Sequence, residues 1–254
     1  QNNMELRPTG GFIGSFALAT FDGGRLIDLN VSDVYSADGQ LKGHVEPPAP
    51  IKDYLGEANW FLRDSNWDPD FPISAARAEW FLEKEIDKKV DGVIGVDLEL
   101  VKNLLAVTGP IALTDFNEVI DSNNLYSKTQ ALVESDFFPG SYKKTNFLTA
   151  LARELLARIS DAEEKEFLPL SLKILSGLEE RHTQIFLHNK SAQTAFSSLG
   201  FDGGVKIPSC AGNCYSDWLG MVDANVGVNK ANYFLERSAN LAVAPDAACG
   251  PTPS

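Results

Sequence analysis

The sequence VDGVIGV at residues 90–96 is a short apolar run that is followed directly by a helix-like segment. Its length and its β-branched residues favour a buried strand. Asp97 is a good N-cap for the next segment, whose apolar residues recur at helical spacing, and TGP at residues 108–110 supplies the glycine and proline that end a helix. A strand that leads into a helix in this way is typical of an α/β fold.

The same alternation extends in both directions from this unit. Strands are predicted at 12–20, 25–35, 90–96, 111–113, 183–187, 218–222 and 232–235, with a hairpin turn at 22–24. Helices are predicted near 51–55, after Ser74 as an N-cap, and at 97–108, 143–159, 163–178 and 191–199, with a weaker one within 117–134. Residues 59–72 fit no period and are predicted to be a polar loop with exposed aromatic side chains.

These elements predict an α/β fold with a layered, mixed β-sheet flanked by helices. We expect one domain over residues 1–244, in which residues 179–244 are a candidate subdomain. Residues 245–254 are rich in proline and alanine and are predicted to be a linker or tail.

Charge and composition narrow the classes of function. The formal net charge is −13, which argues against nucleic-acid binding and against docking on anionic lipid. No run approaches the roughly 18 apolar residues that a membrane helix needs. The polar start at Gln1 leads us to expect a missing upstream part that carries a membrane anchor. Cys210 and Cys214 flank a short turn-forming spacer and are either a local disulfide or two free thiols.

The first candidate site is the sequence RPTGGFIGS at residues 7–15. Arg7 is a bidentate donor for an anion, and Gly10 and Gly11 allow a close backbone approach. The glycine spacing matches neither a dinucleotide fingerprint nor a P-loop. The alternative is a simple turn before a strand.

Two further candidates are polar clusters. In residues 63–70, Asp64, Asn66, Asp68 and Asp70 alternate as at the start of a calcium loop, but the later glycine and glutamate of an EF-hand are missing. This segment is therefore predicted to be either an irregular Mg²⁺ or Ca²⁺ site or a set of acidic side chains that cap turns and the following helix. Lys143 and Lys144 stand at the start of a strong helix, where they are either anion ligands or a solvated basic end.

Several of these segments resemble a known family. The sequence NNMELRPTGGFIGS at residues 2–15 is similar to the opening signature of the bacterial domain of unknown function 4012. Its later blocks resemble residues 63–72, 90–94, 108–110, 223–227 and 230–232, so that the resemblance covers nearly the whole chain.

A more distant similarity is to the LytR-CpsA-Psr enzymes. These extracytoplasmic, membrane-anchored α/β proteins transfer glycopolymers from a polyprenyl-pyrophosphate carrier to peptidoglycan. Residues 7–10, 63–66, 90–111 and 142–144 resemble four of their blocks. Two departures weaken the match: residues 8–10 lack the acid that helps those enzymes to hold Mg²⁺, and lysines replace a pair of arginines at 143 and 144.

The resemblance implies an extracytoplasmic, cell-surface protein that binds a polyprenyl-pyrophosphate glycolipid or a cell-wall glycan. It implies either a phosphotransferase of LytR-CpsA-Psr type or a non-catalytic scaffold or adhesion module, and leaves the oligomeric state open. For the transferase, we expect the basic side chains to face one apolar cleft. The catalytic residues would be Arg7, Arg63 and Asp64, the ligand-binding residues Thr9, Gly10, Gly11, Asn66, Lys143 and Lys144, and the Mg²⁺ ligands Asp68 and Asp70.

Overall fold

The structure is a computed structural model that describes residues 1–2, 4–135, 142–210, 216, 218–227 and 229–242, without the side chains of residues 132–135, 142–145 and 233. The strands are β1 Ser15–Asp22, β2 Arg25–Asp33, β3 Gly92–Val96, β4 Ile111–Leu113, β5 Glu118–Ile120 and β6 Thr183–Leu187. The helices are α1 Val34–Asp38, α2 Phe71–Ile86, α3 Leu98–Thr108, α4 Leu125–Ser135, α5 Tyr142–Ser160, α6 Glu164–Glu179 and α7 Lys190–Leu199. Short π- or 3₁₀-helical turns lie at Ile51–Leu55, Leu62–Asp64, Thr114–Phe116 and Ala231–Phe234.

The described strands form three antiparallel pairs. β1 pairs with β2, β3 with β6, and β4 with β5. The first pair is closed by the predicted hairpin turn, where Gly23 and Gly24 have φ of 54° and 80°, as the tight turn between right-twisted strands requires. The α/β class is confirmed, but the described part of the chain contains small two-stranded sheets where one layered sheet was predicted.

Capping residues at the helix ends determine where the helices around these sheets begin and end. The Asp97 carboxylate accepts hydrogen bonds from the amides of Glu99 and Leu100, and Gly109 ends α3 with φ of 80°, both as predicted. Ser74, however, is not an N-cap. Helix α2 begins at Phe71, four residues before the predicted start at Ala75, and is capped by Asp70; Pro72 fits in the first turn because an amide there has no partner within the helix.

Two other predictions differ from the structure. Residues 62–66 are buried within the predicted polar loop, because their charged side chains have partners inside the protein. The segments at 218–222 and 232–235 are not strands: the first has no regular structure and the second lies largely in a 3₁₀ turn. Met221 and Phe234 are exposed there. Both segments have an apolar pattern, but neither pairs with any of the described strands.

The core consists of two apolar clusters. One joins α3 and α5 with the β4–β5 pair, and it includes Leu105, Ile120 and Phe147. The other joins α1, α2 and the turn at Leu62–Asp64, and it includes Val34 and Phe81. None of the helices among the described residues is long and apolar enough to cross a membrane. The division into a domain and a tail stays a prediction, and residues 245–254 lie outside the described residues.

Candidate functional site

Two arginines that are far apart in sequence meet at one aspartate. The Arg7 Nε donates to Asp64 Oδ1 at 2.8 Å, and the Arg63 Nε lies 3.5 Å from Asp64 Oδ2. The Arg7 and Asp64 residues are 3% and 4% exposed, and Arg63 is 9% exposed. The three residues predicted to be catalytic therefore form one buried cluster, which we call the arginine cluster.

The remaining donors of both guanidinium groups are also engaged. Arg7 reaches Glu5 Oε1 at 3.2 Å and the carbonyl oxygen of Asn225 at 2.8 Å. Arg63 donates to Asp38 Oδ2 at 2.8 Å, and its Nη2 lies 2.8 Å from Glu57 Oε2. The Arg7 group lies over the Phe12 ring and the Arg63 group over the Phe61 ring, at 5.4 and 4.4 Å from the ring centroids. Two positive charges thus face four carboxylates, Glu5, Asp38, Glu57 and Asp64.

Burial changes the proton affinity of the acids around Arg63. It raises the pKa of Asp38 to about 6 in spite of the hydrogen bond from Arg63, and it raises the pKa of Glu5 in spite of Arg7. Glu85 lies nearby and accepts from the Leu62 amide at 3.1 Å. Burial, together with the charge of Asp38, raises its pKa to about 7. Burial disfavours the charged form of Arg63 and so lowers its pKa. The hydrogen bond to Asp38 and the charges of the surrounding carboxylates outweigh this effect, so the pKa of Arg63 is raised.

The glycine pair belongs to a tight turn that positions Arg7. The Gly10 amide donates to the Arg7 carbonyl at 2.9 Å, and Gly10 has φ of 132°. This backbone conformation is one that residues with a side chain rarely adopt, so glycine is favoured there, and a Cβ would also displace the side-chain amide of Gln1. The Thr9 carbonyl accepts from Gln184 Nε2 at 2.9 Å, and the Gly11 carbonyl accepts from Asn66 Nδ2 at 2.8 Å. The turn offered as the alternative is present, whereas anion binding at these residues stays a prediction.

Asp68 and Asp70 shape the entry to α2. Asp70 Oδ1 accepts from the Ile73 amide at 3.3 Å and its Oδ2 from the Val205 amide at 2.9 Å. Asp68 Oδ1 accepts from the Asp70 amide at 2.9 Å. The capping role is therefore confirmed. Within the described ranges, no group of three or more His, Cys, Asp or Glu side chains is arranged to hold a metal ion, and Mg²⁺ binding stays a prediction.

Lys143 and Lys144 lie in the first turn of α5, but their side chains are outside the described part of the structure. Their predicted convergence with Arg7 and Arg63 stays a prediction. Cys210 is disulfide-bonded, while Cys214 and Cys249 lie outside the described residues.

A large apolar cavity of about 560 Å³ lies beside the arginine cluster. Asn66 lines it, and its Oδ1 is buried without a hydrogen-bond partner, as is the Oγ of Ser15, another lining residue. Arg7 and Arg63 are not among the lining residues. These two arginines therefore do not face this cavity, because their carboxylate partners hold them in the protein interior, and the apolar cleft expected for the transferase stays a prediction.

A second cavity, of about 440 Å³, is polar, and we call it the polar pocket. Its lining residues are Met4, Glu99, Lys102, Ser122, Asn123, Tyr126 and Asn232. Glu99 Oε1 accepts from Lys102 Nζ at 2.8 Å, and its Oε2 accepts from the Tyr126 hydroxyl at 3.2 Å. Sequence patterns did not single out this pocket, because its residues come from four separate segments. Met4, Glu99, Lys102 and Asn232 lie in blocks that resemble a known family, but none of them was predicted to be a site residue.

The polar pocket and the arginine cluster are connected through asparagines. Asn225, whose carbonyl accepts from Arg7, donates through Nδ2 to Asn232 Oδ1 at 2.6 Å. Asn232 Oδ1 also accepts from the Leu6 amide at 3.3 Å. The N-terminal segment therefore forms one side of both sites.

Comparison with known proteins identifies a family for the N-terminal part of the chain. A family model described as "Protein of unknown function (DUF4012)" matches residues 1–132 of the 254 residues. No curated protein and no solved structure matches the chain. The matched range contains Arg7, Arg63 and Asp64 and most of the polar pocket. The chain therefore belongs to the DUF4012 family.

Proposed function

We propose that the protein is a non-catalytic scaffold or adhesion module of the bacterial cell envelope, the second of the two predicted functions, and that it acts by binding a glycan. The observation that carries this proposal is the polar pocket, whose volume of about 440 Å³ is within the usual range for small-molecule sites. A cell-wall glycan is the partner, and the extracytoplasmic cell surface is the location.

The lining of the pocket fits the chemistry of sugar hydroxyls, which both donate and accept hydrogen bonds. Glu99 supplies acceptors, Lys102 supplies donors, and the exposed Asn123 amide supplies both. The hydrogen bonds from Lys102 and Tyr126 to Glu99 hold these groups in place before a ligand enters. A binding site whose side chains are already ordered loses less conformational entropy when the ligand binds.

The arginine cluster supports binding over transfer. A pyrophosphate group would have to displace carboxylates that already neutralise Arg7 and Arg63. Breaking a buried ion pair costs about 3–5 kcal/mol when one partner is left unpaired. Envelope location is supported by the Cys210 disulfide, because disulfides persist in oxidising compartments outside the cytoplasm.

The second candidate function is polyprenyl-pyrophosphate binding and glycopolymer transfer, with a membrane anchor and the layered fold of the LytR-CpsA-Psr enzymes. One observation favours it: Glu5 and Asp64 lie beside Arg7 and so provide the acid that Pro8, Thr9 and Gly10 lack. Mg²⁺ would bind these carboxylates once the ion pairs opened, and would offset the charge on the leaving pyrophosphate.

The test is titration of the protein with chitotetraose and with soluble peptidoglycan fragments, followed by calorimetry. We expect saturable binding of at least one of these glycans. Asn123→Ala and Lys102→Ala should each weaken it about tenfold, since each removes hydrogen bonds worth roughly 1–1.5 kcal/mol. Lys128→Ala is the matched control, because Lys128 pairs with Glu118 outside the pocket and should leave the affinity unchanged.

Absence of saturable binding, or an equal loss of affinity in Lys128→Ala, would contradict the proposal. The transferase is tested separately by incubation with a polyprenyl-pyrophosphate glycolipid and Mg²⁺. Release of a transferred glycopolymer, detected by mass spectrometry, would favour the second candidate.

A further inference from the structure

The apolar cavity is bordered by two strand edges. Residues 15–18 of β1 and 92–96 of β3 line it from two sides. β1 pairs with β2, and β3 pairs with β6, so that neither has a second partner among the described strands. A strand edge that faces a cavity presents a row of amide and carbonyl groups that need hydrogen-bond partners.

Helices lie on both faces of this gap. On one face, Phe16 and Leu18 pack with Phe81 and Leu82 of α2. The opposite face of the hairpin carries Leu29, whose carbonyl accepts from Arg153 of α5 at 3.1 Å. Both α2 and α5 contribute apolar side chains to the cavity lining. Helices therefore cover both faces of the gap, as they cover both faces of a central strand in a buried sheet.

The first two residues already lie across one end of this gap. The amino group of Gln1 donates to the Val96 carbonyl at 2.7 Å, at the end of β3. The Asn2 amide donates to the Phe12 carbonyl at 2.8 Å in an antiparallel bridge, just before β1. A backbone that extends this bridge away from Asn2 runs alongside β1 in antiparallel register and, because it ends next to Val96, parallel to β3.

We propose that the gap binds one extended polypeptide strand of about five residues, apolar on both faces, whose C-terminal end lies at Gln1 and which runs antiparallel to β1. Its length follows from β3, which has five residues, at about 3.3 Å per residue. The strand joins the pairs β1–β2 and β3–β6 into one mixed sheet of five strands with helices on both faces. This inference does not rest on the glycan proposal, which concerns a different pocket.

A polypeptide fits the gap better than a hydrocarbon chain does. The apolar lining suits either occupant, but the two strand edges require backbone hydrogen bonds that a lipid tail cannot make. The unpaired oxygens of Ser15 and Asn66 in the lining add to that requirement.

The test fuses a short apolar strand to the amino group of Gln1. A fusion of Val-Leu-Val-Leu-Val should raise the melting temperature by about 5 °C or more. It should also slow amide exchange in residues 15–18 and 92–96, on the order of tenfold. A fusion of equal length with two prolines is the matched control and should do neither, because proline lacks the amide donor.

A variant that fills the gap tests the same point independently. Ala152→Phe places a large side chain in the cavity and should abolish the gain from the fused strand. Ala157→Phe, on the exposed side of the same helix, should preserve the gain.

Equal effects of the two fusions, or an undiminished gain in Ala152→Phe, would overturn the proposal. The same holds if farnesyl phosphate binds saturably and slows exchange in these residues while the fused apolar strand does not. That result would identify the gap as a lipid site.

Discussion

Asp64 holds the arginine cluster together, because its two oxygens face different arginines. Oδ1 accepts from Arg7 at 2.8 Å, and Oδ2 lies 3.5 Å from Arg63. Since Glu5, Asp38 and Glu57 supply three further carboxylates, the cluster carries more negative than positive charge. An anionic ligand would meet a site that is already acidic, so we expect the arginines to stabilise the fold more directly than they attract a ligand.

The substitution Asp64→Asn tests this role. It removes the charge shared by the two arginines, and we expect the free energy of unfolding to fall by about 3 kcal/mol, as when a buried ion pair loses one partner. Urea denaturation followed by circular dichroism measures the change. Glu46→Gln is the control: Glu46 pairs with Lys52 at the surface and should contribute little to stability. If Asp64→Asn were as stable as Glu46→Gln, the cluster would be maintained for binding and not for folding.

At the scale of the element, α2 depends on Asp70, an aspartate that the sequence predicted to be either a metal ligand or a cap of the following helix. Asp70 caps the helix through Oδ1 and ties the Val205 amide to it through Oδ2. The same carboxylate therefore joins the helix start to a segment that is 135 residues away in sequence.

Asp70→Ala should destabilise the protein by about 1–2 kcal/mol, because it removes an N-cap. Asp70→Asn should recover most of this loss, since asparagine is also a good N-cap, although it is a poorer ligand for Mg²⁺. Thermal melts with and without Mg²⁺ separate the two roles. If Mg²⁺ stabilised the native protein but not Asp70→Asn, the metal role would hold and the capping role would be secondary.

Local signals explain which elements could be predicted from sequence. The hairpin at Gly23 and Gly24, the Asp97 cap and the Gly109 stop each depend on residues that are close in sequence, and each is present. The segments at 218–222 and 232–235 also have an apolar pattern, but a strand needs a partner, and partners are not encoded locally. Partners in the arginine cluster could not be predicted from local sequence either. The segments around Arg7 and Arg63 have recognisable signatures, whereas Asp38 and Glu85 lie in no motif.

At the scale of the whole molecule, the gap between β1 and β3 separates two of the three observed strand pairs, where one layered sheet was predicted. The described strands pair in twos, and the apolar cavity is lined by residues 15–18 of β1 and 92–96 of β3. The expectation of a mixed sheet rested on the alternation of strands and helices, in which 218–222 and 232–235 were wrongly predicted to be strands. The sequence pattern did not show which strands pair with one another.

Burial of acids near Arg63 links the stability of the whole molecule to pH. Burial raises the pKa of Glu85 from 4.5 to about 7 and that of Asp38 from 3.8 to about 6. The folded protein therefore binds these protons more tightly than the unfolded chain does. Their contribution to stability is greatest at low pH and is lost as the pH rises, between about 4.5 and 7 for Glu85 and between about 3.8 and 6 for Asp38.

The substitution Glu85→Gln isolates one of these groups, because it keeps an acceptor for the Leu62 amide and removes the titration. Above pH 7 the variant should be more stable than the native protein by on the order of 1–3 kcal/mol, and this advantage should vanish near pH 4.5. Urea denaturation across this pH range measures the difference. Glu83→Gln, an exposed position on the same helix, should show no such dependence. A Glu85→Gln advantage that stayed constant with pH would mean that Glu85 is not the group that titrates, because only a change in its own proton binding can produce the predicted slope.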